Sequence, residues 1–157
     1  MKEMVYIETS VISYYTSKPS RDIIIAARQA ITREKWIKIV SSFKVFISAL
    51  VIQEIEKGDS KAAQQRLASI QKFLMLAIDN RAEQLAKRLI ENRVIPQESP
   101  GDALHIALAA VHGMDYLLTW NFTHINNAQM KNKIATVIMG EGYNCPILCS
   151  PEELLGD

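Results

Sequence analysis

Four residues have the side chains and the surroundings to support metal-assisted chemistry: Glu8, Glu54, Asp102 and Asn121. They lie in VYIETS at 5–10, VFISALVIQEIEKGD at 45–59, SPGDALHIALAAVHG at 99–113 and DYLLTWNFTHINN at 115–127, where apolar runs give way to polar sequence. Carboxylate and amide oxygens are hard donors suited to Mg²⁺ or Mn²⁺. An ion held by them can orient an attacking water and neutralise charge on a phosphodiester. Two ionised carboxylates ~4 Å apart repel by ~4 kcal/mol at an effective dielectric of 20. If these acids cluster, they therefore imply a cation.

Each also has a local alternative. Asp102 suits the positive end of a helix dipole in a first turn. Glu54 can pair with Lys57 three residues on. Asn121 can bond its own backbone at the start of a turn. Glu8 directly follows the apolar run Val5–Ile7 at a strand end, a place where α/β proteins put ligands.

Short apolar runs alternate with helical patterns, which predicts an α/β fold with a parallel sheet. The expected strands are Met4–Ile7, Lys44–Ile47, Phe73–Ala77, Asp115–Thr119 and Pro146–Cys149, and the expected helices cover about 20–39, 48–58, 60–71, 79–92, 100–112 and 126–139. Ser20, Ser48 and Ser99 are the expected caps of three helices, the last followed by Pro100 at the first helical position. In such a sheet all four site positions converge on the crevice at the carboxyl ends of the strands.

At 157 residues the chain is long enough to bury one core, so a single domain over 1–157 is expected. Lys and Arg number 18 against 17 Asp and Glu, for a net charge of +1. A nucleic acid would then have to be held by a local basic patch. Cys145 and Cys149 have neither zinc nor redox spacing and are expected to be free thiols. The start MKEMVYIETS lacks an apolar signal core and no run reaches the ~20 residues of a membrane span, which predicts a cytoplasmic protein.

IETSVISYY, SALVIQEIEKGD and GDALHIALAAVHGMDYLLTWNF together resemble a PIN domain of the kind found in VapC-type toxins of toxin–antitoxin pairs. The resemblance extends over about residues 4–150. It implies a three-layer α/β/α sandwich with a central parallel sheet and an Mg²⁺ or Mn²⁺ site that cleaves RNA. It places the ligands at Glu8, Glu54, Asp102 and Asn121, with Thr9, Ser10 and Thr119 as the small hydroxyl residues around the metal. Two positions depart from the family's usual aspartates. Glu8 reaches about 1.5 Å further, one carbon–carbon bond. Asn121 keeps a carbonyl but lacks a charge. The expected partners are RNA, a cognate antitoxin protein and a second copy of the chain.

His124, three residues after Asn121, and His105, one turn after Asp102, can each shuttle a proton or meet substrate. For His105 the alternative is a helix-face residue bonded to a neighbour. Lys18 and Arg21 are the basic residues placed to contact RNA, and Tyr14 and Tyr15 can either stack on a base or pack internally. The competing function is a PIN-like module that binds RNA or protein with little catalysis. A receiver-like switch lacks its lysine after the last strand, and an aspartyl phosphatase lacks Asp-x-Asp after the first.

Overall fold

The computed structural model describes residues 1–155, so the last two positions of the expected 1–157 domain lie outside the described residues. Five strands form one parallel sheet in the order β3-β2-β1-β4-β5. They are β1 (Met4–Ile7), β2 (Lys44–Ser48), β3 (Leu74–Leu76), β4 (Tyr116–Leu118) and β5 (Ile147–Cys149). β1 sits at the centre, with Tyr6 opposite Phe46 on one side and Leu117 on the other. Val5, Tyr6 and Ile7 are fully buried, as expected of a strand covered on both faces.

Among the described residues eight helices flank the sheet: α1 (Thr9–Thr16), α2 (Ile23–Ser42), α3 (Ala49–Ile55), α4 (Ser60–Ser69), α5 (Asn80–Glu91), α6 (Pro100–Val111), α7 (Lys131–Gly140) and α8 (Pro151–Leu155). α1 packs on α2, α3 and α4, and α2 on α8, while α5 packs on α6 and α7. These two groups are the outer layers of an α/β/α sandwich. α6 is apolar on nearly every side and is buried from Ala103 to Val111 except at Leu104, so it reads as a core helix more than as the one-sided stripe of its sequence.

All five expected strands are present, β1 with the expected ends and the others with ends shifted by at most one residue. α1 was not expected, because Thr, Ser, Val, Ile and Tyr are mediocre helix formers. It forms because Glu8 caps it, accepting from Ser10 N at 3.1 Å, and because Val11 and Ile12 are fully buried. α8 was also not expected, although Ser150 and Glu153 make a reciprocal capping box: Ser150 N donates to Glu153 Oε1 at 3.0 Å and Glu153 N to Ser150 Oγ at 3.3 Å.

The start of α2 moves to Ile23 because Asp22, and not Ser20, caps it, accepting from Ile24 N and Ile25 N. Ser99 makes no side-chain cap bond, so α6 begins on Pro100 and on the Ser99 carbonyl alone. α7 begins at Lys131, five residues later than expected, because Asn127 closes a turn there with its side chain on Phe122 O, Thr123 O and Gln129 N. Tyr15 stacks on Trp36 at 4.0 Å and Tyr14 on Trp120 at 6.2 Å, which assigns both tyrosines to internal packing. Cys145 and Cys149 are free, and burial pushes their thiols up to about 11 and about 12. No helix among the described residues is long and apolar enough to cross a membrane.

Candidate active site

Glu8 leaves the end of β1 and is buried, 6% exposed. Its Oε1 accepts from Ser10 Oγ at 2.5 Å and from Thr119 Oγ1 at 2.6 Å, and its Oε2 from Ser10 N. Thr119 in turn accepts from Asn121 N, and Ser10 Oγ from Trp120 N, so the segment after β4 is tied to the segment after β1. No lysine, arginine or histidine forms an ion pair with Glu8 among the described residues. A buried carboxylate supplied with donors yet with no counter-charge is the state that a bound cation completes.

Glu54, in the last turn of α3, faces it. Its Oε1 is 2.5 Å from Thr9 Oγ1 and 2.6 Å from His105 Nε2. Burial pushes this carboxyl up, but the hydrogen bonds from His105 and Thr9 and the electrostatic attraction of His105 and Lys57 outweigh it and hold Glu54 below its ordinary value. Glu54 is therefore ionised at neutral pH and can only accept. His105 Nε2 must carry the hydrogen between them.

His105 is fully buried, and its Nδ1 lies 2.7 Å from the hydroxyl of Tyr6, which is also 2.7 Å from Ser48 Oγ. Burial raises the Tyr6 phenol far above its ordinary value, so it keeps its proton. Ser48, Tyr6, His105 and Glu54 thus form one line of hydrogen bonds from the interior to the site. Ligand atoms of Glu8, Glu54 and His105 all lie within 4.8 Å of one another. Because Nε2 is a donor to Glu54, His105 fits the role of orienting that carboxylate better than that of a third ligand.

Asp102 is in the first turn of α6, beside Gly101, which lies against Glu54; a Cβ on Gly101 would stand 3.2 Å from Glu54 Oε2. Asp102 Oδ2 is 2.7 Å from His124 Nδ1 and lies outside the tight group of Glu8, Glu54 and His105. Asn121 Oδ1 accepts from His124 N at 3.0 Å, so its amide shapes the loop that brings His124 to Asp102.

The structure therefore brings together Glu8, Glu54, Thr9, Ser10 and Thr119, and joins Asp102, Asn121 and His124 beside them. Lys18 and Arg21 are exposed beyond α1 and share no bond with this network. Tyr6 and Ser48 were missed as site-supporting residues, although Ser48 was expected as a cap. One signal was available: a tyrosine in an otherwise aliphatic central strand needs a buried partner for its hydroxyl.

The parallel α/β/α sandwich brings Glu8, Glu54 and His105 into one group whose ligand atoms could hold a metal ion. The PIN domain family model matches residues 5–122, and the chain belongs to that family. Solved structures show the same fold. A crystal structure of VapBC2 from Rickettsia felis bound to a DNA fragment from its promoter aligns with a TM-score of 0.60 at 14% identity, covering 94% of this chain and 98% of that one. Mycobacterium tuberculosis VapC20, described as a toxin that cleaves the sarcin–ricin loop, aligns with a TM-score of 0.53 at 18% identity, covering 76% of this chain and 92% of that one. No curated protein matches the sequence.

Proposed function

We propose that this chain is an Mg²⁺- or Mn²⁺-dependent endoribonuclease, the toxin of a toxin–antitoxin pair, acting in the cytoplasm as a homodimer restrained by a cognate antitoxin protein. The observation that carries this reading is the buried, uncompensated carboxylate of Glu8 facing the ionised carboxylate of Glu54. Membership of the PIN family and the fold shared with the VapBC2 and VapC20 structures support it.

Glu8, Glu54 and Asp102 would hold the ion, with the second lone pair of the Asn121 carbonyl left to complete the shell. When bound, the ion supplies a polarised water and charge neutralisation at the scissile phosphate. The chain's own contribution is pre-organisation. Ser10 and Thr119 fix Glu8, while Thr9 and His105 fix Glu54, so neither carboxylate has to be ordered when substrate arrives. Asp102 fixes His124 through Nδ1, which leaves His124 Nε2 to hold or give a proton at the phosphate or the leaving oxygen.

The test joins Mn²⁺ binding with RNA cleavage. Millimolar Mn²⁺ should raise the melting temperature of the wild type, since an ion that binds only the native state stabilises it, by ~2.7 kcal/mol at a hundred times Kd. Asp102→Asn should keep its fold, lose most of that shift and lose cleavage. A wild type that neither gains stability from Mn²⁺ nor cuts RNA would show a binding module in place of a nuclease.

A further inference from the structure

A second cavity shares one wall with the site. It encloses about 520 Å³ between the end of α5 and the loop before α7, and His124, the partner of Asp102, forms part of its lining. That size lies within the usual range of small-ligand pockets. Ile90, Pro96 and Met130 give it accessible apolar surface, backed by the buried Val94 and Ile95. Arg93 and Gln129 also face it, and among the described residues neither side chain has a hydrogen-bond or ion-pair partner. The one carboxylate in the lining, Glu91, is countered by Lys87 at 4.0 Å and Arg88 at 3.7 Å.

Arg93 holds an unusual backbone position. α5 ends in a Schellman motif: Arg93 N donates to Ile90 O at 2.9 Å and Val94 N to Leu89 O at 3.0 Å. The residue at the turning point has φ 57°, the left-handed region in which glycine is the common choice. Arg93 is the only non-glycine residue with positive φ among those described. A long cationic side chain stands here against the backbone's preference, with no hydrogen-bond or ion-pair partner among the described residues. That combination marks a residue kept for something outside it.

Resting on the ribonuclease reading above, we infer that this cavity is a substrate subsite for a nucleotide flanking the scissile bond of single-stranded RNA. Arg93 pairs with its phosphate and the apolar wall of Ile90, Pro96 and Met130 takes its base. Charge decides the class of ligand, because a lone guanidinium beside an apolar slot suits an anion that carries a flat ring. The shared His124 places that nucleotide next to the proposed metal ligands.

The experiment is Mn²⁺-dependent cleavage of a labelled single-stranded oligoribonucleotide by the full chain, with KM and kcat measured across a salt series, beside thermal melting. Arg93→Gly should raise KM roughly tenfold with kcat nearly unchanged, since it removes one charge-assisted contact. It should flatten the salt dependence of log(kcat/KM) by ~0.7, the contribution of one phosphate contact on a single strand. Its melting temperature should rise by roughly 2–4 °C, because glycine relieves the strained turn. Gln129→Trp, at an exposed lining position, should raise KM by filling the slot while leaving the salt slope alone. Wild-type cleavage with no change of KM or salt slope in Arg93→Gly would overturn the subsite while the nuclease reading stands, and would leave the cavity to a protein partner. A fall in melting temperature would show that Arg93 serves the fold. Absence of cleavage by the wild type would overturn both readings.

Discussion

Replacing Tyr6 by phenylalanine removes a single oxygen from the middle of the sheet and opens the line of hydrogen bonds that ends on Glu54. The ring stays, so packing around it is preserved and the effect isolates the hydroxyl. Two bonds of 2.7 Å are lost, to His105 Nδ1 and Ser48 Oγ, and both partners are fully buried with no water path to replace them. Ser48 keeps only the long 3.5 Å contact from Val51 N, and His105 keeps only Glu54. Leaving buried polar atoms unpaired costs ~1–3 kcal/mol each, and the two sites share one cause, so a destabilisation of about 2–3 kcal/mol is expected. In a domain of this size that lowers the melting temperature by roughly 5–10 °C. The imidazole also loses the bond that sets its plane, so Glu54 loses a fixed donor, and cleavage should fall about 10- to 100-fold as for other residues that orient metal ligands. Melting by differential scanning fluorimetry and Mn²⁺-dependent RNA cleavage read the two effects separately. A variant that melts within 2 °C of the wild type and cleaves at the wild-type rate would refute the line of hydrogen bonds as drawn.

Two further outcomes follow from residues at the rim and at the end of the chain. Gly101→Ala puts a methyl group 3.2 Å from Glu54 Oε2, which His105 and Thr9 keep from yielding. Alanine also gains up to ~1 kcal/mol of helix propensity, so melting should change little while activity and Mn²⁺ affinity drop; full activity would show that Glu54 can shift without cost. At Glu153, burial pushes the carboxyl up, but bonds from Asn126 and Ser150 outweigh it and hold it below its ordinary value. Such a group stabilises the fold above the ordinary glutamate range and stops doing so as pH falls through its lowered value. The wild type should therefore melt above Glu153→Gln at pH 7, with the gap closing in acid; a gap that persists at the lowest pH would contradict the assignment.

The positions of Glu8 and Asp102 were legible because strand ends and helix starts announce themselves locally, through an apolar run that stops and through Ser-Pro-Gly-Asp before α6; Glu54, in the last turn of α3, was legible only as the polar end of an apolar stretch. What supports them was not. Tyr6, Ser48 and His105 meet only once β1, β2 and α6 are laid side by side, and spacing along the chain says nothing about register across a sheet. α1 was hidden for a related reason, since its stability lies in the tertiary burial of Val11 and Ile12 and not in the helix propensity of its sequence. Asn121 was readable either as a ligand or as a turn residue. The bond from His124 N shows the turn role in place, and the amide's part in a metal shell rests on the proposal above.

Placing the first strand at the centre of the sheet has a consequence for the order of folding. β1 needs β4 as a neighbour, and Glu8 takes its donor from Thr119, 111 positions away, while Tyr6 meets His105 across 99. Such distant pairings form late and slowly, because the loop-closing entropy must be met before any contact rewards it. A nascent chain that has emerged only as far as α5 carries Glu8 and Glu54 with their donors Ser10 and Thr9, but lacks Thr119 and His105, which complete the hold on each. The full set of bonds around Glu8 and Glu54 and the completed sheet then arrive in the same step, and a chain still on the ribosome does not yet carry a closed site.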